Sequence, residues 1–153
     1  MTRIDRKLSE LNIVLPAPVA PVATYVPFVV AGPLVFISGQ VSLSNGALIK
    51  GRLGADLNIE RGQEAARACG LNLLAHLKSA CGGDLDRVRR VVKLGAFVCS
   101  TPDFVDQPKV ANGCSDLMVA VFGDAGRHAR AAVGAPALPL GAAVEIDGVF
   151  EID

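Results

Sequence analysis

Apolar residues recur along this chain with two periods, and the switches between them mark out its elements. Ala65, Ala66, Cys69, Leu73, Leu77 and Ala80 fall three, four and seven residues apart, predicting an amphipathic helix over about 59–80. Asn58 is its candidate N-cap, and Gly82-Gly83 closes it. A second stripe of Val110, Cys114, Leu117, Met118 and Val121 predicts a helix over about 109–122, ended by Gly123, Asp124 and Gly126. Ile4, Leu8 and Leu11 predict two or three helical turns within 2–11, lying on a core or a neighbouring subunit. His76 adjoins the stripe of the long helix and reads as a surface or interface residue rather than a base.

The remaining apolar runs have strand character. Tyr25–Val30 and Leu34–Ser38 flank Ala31-Gly32-Pro33, a hairpin signal in which Pro27 assigns the first strand to a sheet edge. Ser44-Asn45-Gly46 marks another turn. Val91–Cys99 reads as a central strand with one lysine, and Arg87, Arg89 and Arg90 before it as a solvated loop. Two closing strands, about 130–135 and 143–152, are joined by Leu138-Pro139-Leu140-Gly141. The prolines of Leu15–Ala23 predict an extended surface segment. This order implies an α+β domain, one mixed sheet with both main helices on one face. Nothing in the chain is left to cover the other face, so another subunit is the natural cover.

Composition narrows the function classes. At 153 residues, 51% hydrophobic and 20% charged, the chain suits one folded domain with one core. Fifteen basic residues balance fifteen acidic ones, which weighs against a nucleic-acid binder that must track phosphates. Cys69, Cys81, Cys99 and Cys114 form no C-x-x-C pair, so they read as buried thiols in a reducing compartment rather than metal ligands. The stretch between Glu10 and Lys50 has no charge, yet its prolines interrupt any spanning helix. The expectation is a soluble, cytoplasmic protein that engages neither membrane nor nucleic acid.

Candidate chemistry sits in the closing strands, where Arg130 and Glu145 occupy otherwise apolar runs. A guanidinium offers a planar fork matched to a carboxylate, and a nearby carboxylate can hold water or move a proton. Taken alone, both charges read more simply as solvated strand residues. Ser38-Gly39-Gln40 ends its strand with a hydroxyl beside a glycine, and His128 shares an extended face with Arg130.

Tyr25 thirteen residues before Ser38 in Y…ISGQ, Arg130 in HARAAVG, Leu138-Pro139, and Glu145 in VEID together resemble the reactive-intermediate deaminase family. That family is also called RidA or YjgF-like, and historically translation inhibitor or endoribonuclease L-PSP. The similarity runs from about Leu15 to the C-terminus, leaving residues 1–14 as a helical extension before a domain over 15–153. The resemblance implies a chorismate mutase-like fold, a barrel-like homotrimer with sites between subunits, and metal-independent, cofactor-free hydrolysis of 2-enamino and 2-imino acids, such as 2-aminoacrylate, to 2-keto acids and ammonia. By position it makes Arg130 the clamp for the substrate carboxylate and Glu145 the residue that positions or activates water. Tyr25, Ser38, Gly39 and Ala132 then line the cleft, and Asn112 matches a cleft asparagine across a one-residue gap. Thr24 stands where the family often has proline, and Ala132 where many members have cysteine. Two other readings stay open: a module that binds a carboxylate metabolite without turnover, and the endoribonuclease of the historical label.

Overall fold

The computed structural model describes residues 1–21 and 23–153. Three helices and seven strands are ordered α1 (Arg3–Glu10), β1 (Phe28–Ala31), β2 (Leu34–Val41), β3 (Leu43–Ser44), β4 (Ala47–Leu48), α2 (Ile59–Ala80), β5 (Val88–Cys99), α3 (Gln107–Phe122), β6 (Ala129–Ala135) and β7 (Val144–Ile152). The main sheet runs β1-β2-β7-β5-β6. All its neighbours are antiparallel except β5 and β6, which are parallel and joined through α3. A small β3–β4 hairpin turns at Asn45-Gly46.

Alternation along the strands divides the sheet into two faces. Val35, Ile37, Leu94, Ala96, Val98, Val144, Ile146 and Phe150 are buried with the inner stripes of α2 and α3 in one core. The opposite face is open and carries large apolar side chains, with Val29, Phe36, Phe97 and Val133 all 39% exposed or more. Residues this large and apolar, gathered on one sheet face, form the kind of surface that a partner covers.

Local chemistry explains several boundaries. Thr2 and Asp5 form a reciprocal capping box on α1. Asp86 then accepts from the main-chain N–H groups of Arg3 and Ile4 at 2.9 and 2.8 Å, tying the helix start to the turn before β5. Ile4 and Leu8 thereby enter the common core. α2 is capped by Asn58, whose side chain accepts from Arg61 N. The segment from Ile13 to Pro21 carries no helix or strand. Val22, part of the proline-rich stretch expected to be extended, lies outside the described residues.

Some expectations change. β1 starts at Phe28 rather than Tyr25, because Pro27 offers only a carbonyl, which accepts from Ser38 N at 2.9 Å. β5 begins at Val88, so Arg89 and Arg90 are exposed strand residues and only Arg87 lies in a turn. Arg87 and Arg89 both reach the Asp153 carboxylate, holding the chain's end to the sheet. His76 is 2% exposed rather than at the surface. From Ala65 to Leu77 only Arg67 is exposed and Leu71 half-buried, since α2 packs against both the sheet and α3. No helix of the described residues is long and apolar enough to cross a membrane.

Candidate functional site

Glu145 lies between the buried Val144 and Ile146 on β7, so it points away from the helices, as does Asp147. Its strand neighbours are Val41 on β2 and Phe97 on β5. Beside it β2 is bulged: Ile37 pairs with Gly148 and Gln40 with Ile146, leaving Ser38 and Gly39 opposite Asp147 alone. Such a bulge re-aims the local side chains. Ser38 turns its hydroxyl onto Val26 O at 2.7 Å, and the carboxylate of Glu145 settles over Gly39. A Cβ at Gly39 would lie 2.7 Å from Glu145 Oε2.

Tyr25, Gly39 and Glu145 line one cleft of about 290 Å³. Its other walls are mainly apolar, with Val19 and Pro21 from the proline-rich segment, Leu43 and Leu48 from the small hairpin, and Leu140. Leu140 holds φ at 62°, in the left-handed region that a leucine rarely adopts, and is 70% exposed at this rim. Burial in these surroundings, and secondarily the negative charge of Asp147, push the Glu145 carboxyl above its ordinary range. Ser38 lines the adjoining hollow on the open sheet face, with Phe36, Phe97, Lys93 and Asp147.

The remaining candidates lie elsewhere. On β6, Arg130 and Ala132 alternate with the exposed Ala129, Ala131 and Val133, so they face the helix layer. Arg130 Nη1 donates to Asn112 Oδ1 at 2.8 Å and Ser115 Oγ at 3.0 Å, and Nη2 donates to Pro108 O at 3.3 Å. All three acceptors are on α3. This accounts for both hydrogens of Nη1 and one of Nη2, leaving the Nε hydrogen and one Nη2 hydrogen for a ligand. Two donors on a guanidinium suit a carboxylate.

The candidates of one chain therefore fall into two groups: Tyr25, Ser38, Gly39 and Glu145 by the bulge, and Arg130, Asn112 and Ala132 at the β6 edge. Arg130 and Glu145 lie on opposite sheet faces with β5 between their strands, so a single chain does not bring them into one hollow. Sequence reasoning missed Ser115, although its spacing of three from Asn112 puts both on one face of α3.

Among the described residues no group of three or more His, Cys, Asp or Glu is placed to hold a metal ion. The four cysteines are free and buried. Burial drives Cys114 up to about 12 and Cys69 well above the usual thiol value, which disfavours the thiolate in both.

Comparison with known proteins agrees with this architecture. Residues 5–150 match the family described as "YjgF/chorismate mutase-like, putative endoribonuclease". Protein TCP17 of Trypanosoma cruzi is 49% identical over 153 residues, covering 99% of this chain and 95% of that protein. The crystal structure of Atu1372 from Agrobacterium tumefaciens, a protein of unknown function, superposes with a TM-score of 0.91 at 46% identity, covering 98% of this chain and 92% of that one. A Shewanella oneidensis protein described as a "putative endoribonuclease" superposes with a TM-score of 0.94 at 32% identity, covering 99% and 100%. With its mixed sheet, its helices on one face and a match across nearly its whole length, the chain belongs to the YjgF/chorismate mutase-like family.

Proposed function

We propose that this protein is an imine and enamine deaminase that hydrolyses small 2-imino acids to 2-keto acids and ammonia in clefts between the subunits of a homotrimer. The observation that carries the reading is the Glu145 carboxyl, raised by burial and set against the Gly39 main chain in a mostly apolar cleft. A carboxyl raised above its ordinary range holds a proton more readily and is suited to accept and return one. Family membership and the two donors left on Arg130 support the same reading.

In this mechanism Arg130 holds the substrate carboxylate and so orients the imine carbon. Glu145 takes a proton from water as the water oxygen bonds to that carbon, and passes it to nitrogen as the C=N electron pair moves there. The resulting carbinolamine gives its hydroxyl proton to Glu145 as the C–N bond breaks. Ammonia leaves with the proton that Glu145 returns. An enamine substrate first takes a proton at its β-carbon and gives one up from nitrogen to become the imine. Water and imine are consumed, keto acid and ammonia are formed, and no redox partner is needed.

The separation of these two groups of residues within one chain supports assembly, each group acting as half of a site. Val29, Phe36, Phe97 and Val133 give the open face an apolar surface for a second copy. Such a copy would supply Arg130 to the cleft that holds Glu145. The test is to generate an imino acid with an amino-acid oxidase and follow its loss. Wild type should accelerate the loss, Arg130→Ala and Glu145→Gln should abolish the acceleration, and equal rates in all samples would reject the reading.

A further inference from the structure

Behind Arg130 lies a chain of hydrogen bonds whose direction is fixed at its far end. His128 Nδ1 is 2.6 Å from Gly126 O, which can only accept, so Nδ1 carries the proton. In the neutral ring Nε2 is then a bare acceptor, and the Ser115 hydroxyl, 2.8 Å away, gives it its hydrogen. Ser115 Oγ is left to face Arg130 as an acceptor, which it does at 3.0 Å from Nη1. The order is guanidinium to serine, serine to histidine, histidine to main chain.

The members come from three parts of the fold: Arg130 from β6, Ser115 from α3, and His128 and Gly126 from the turn linking them. All are half-buried apart from Gly126, which is buried. A Cβ at Gly126 would run into the main chain at Met118 and Val119, so the carbonyl that orients His128 is itself held against α3. A serine without His128 would be free to turn its hydrogen toward the guanidinium, where it would repel rather than accept. A reversed serine would loosen Arg130 from one of its two Nη1 anchors.

We infer that Ser115 and His128 are positioning residues that hold the Arg130 guanidinium in the orientation needed to receive a ligand carboxylate. The inference rests on the proposed role of Arg130 as a carboxylate clamp. Neither residue touches the substrate.

The experiment measures imine hydrolysis, and in parallel the calorimetric Kd of 2-ketobutyrate as a carboxylate that does not react. Ser115→Ala should raise KM and this Kd about three- to tenfold with little change in kcat, the pattern of a lost binding contribution. Ser115→Thr, which keeps the hydroxyl, should restore both. His128→Phe should match Ser115→Ala, and the double variant should be little worse than either, because one chain is broken once. Ring nitrogen-15 shifts of His128 at alkaline pH should report the Nδ1–H tautomer in wild type. Wild-type turnover with KM and Kd unchanged in Ser115→Ala would overturn this inference and leave the deaminase reading intact. The predicted losses in Kd without any wild-type turnover would support the positioning role and reject the deaminase. No 2-ketobutyrate binding and no turnover in wild type would overturn both.

Discussion

Gly39→Ala isolates the contact on which the Glu145 half-site depends. Gly39 does not use the left-handed region, so alanine fits the backbone without strain. The new methyl would meet Glu145 Oε2 at 2.7 Å, Cδ at 3.1 Å and Cγ at 3.2 Å. These atoms end a flexible side chain, so they can yield, and restoring ordinary contact displaces the carboxylate by about 0.7 Å. A misplacement of about 1 Å can cost about a hundredfold in rate, so kcat should fall about ten- to a hundredfold, or about 1.4–2.7 kcal/mol in the barrier. Folding should be nearly unaffected, with Tm shifting by less than about 4 °C, the equivalent of about 1 kcal/mol in a domain of this size. Steady-state imine hydrolysis and a circular-dichroism melt read the two quantities separately. Full kcat in a folded Gly39→Ala protein would refute the claim that proton transfer depends on where this carboxylate sits.

Other outcomes follow from burial and charge. Folding penalises ionised Glu145, a cost present above its raised folded value and gone below the ordinary value of 4.5, so Glu145→Gln should raise Tm at pH 7 and lose that advantage as pH falls through that window. Turnover in wild type should decline with an acid limb lying above the ordinary carboxylate range. Burial lowers His76, with the nearby Val19 main chain partly opposing, and among the described residues neither ring nitrogen completes a hydrogen bond. The native state resists protonating this ring, so stability should drop as pH falls from 6.5 toward the folded value. His76→Leu should remove that drop in melts across pH and add about 1–3 kcal/mol by eliminating buried unpaired nitrogens. Phe36→Asp, at a 45% exposed position on the open face, should leave circular dichroism unchanged and give monomers by light scattering, whereas an unchanged trimer mass would place the interface elsewhere.

Elements with a strong local pattern were legible in the sequence. The stripe of α2, its Asn58 cap, the Gly32-Pro33 turn and the stripe of α3 each depend on neighbours a few residues away. Features set by distant pairing were not. Arg89 and Arg90 suggested a loop because their charges hide the strand whose exposed side they occupy. The bulge at Ser38-Gly39 exists only relative to β7, so no reading of β2 alone would find it. Which sheet face Arg130 and Glu145 occupy depends on strand parity on either side of an irregular loop, and their fifteen-residue offset does not encode it. His76 is buried because tertiary packing covers more of α2 than its stripe indicates. Ser115 gained its meaning only once β6 lay beside α3.

The central claim is that a working site takes Glu145 from one subunit and Arg130 from another. Arg130→Ala and Glu145→Gln, each inactive alone, should regain activity when unfolded together and refolded as mixed oligomers. With random assembly and one heterologous interface per site, about a quarter of the clefts would carry both wild-type residues. Recovery of about a quarter of wild-type activity is the predicted result. Mixed oligomers that form and remain inactive would contradict the account.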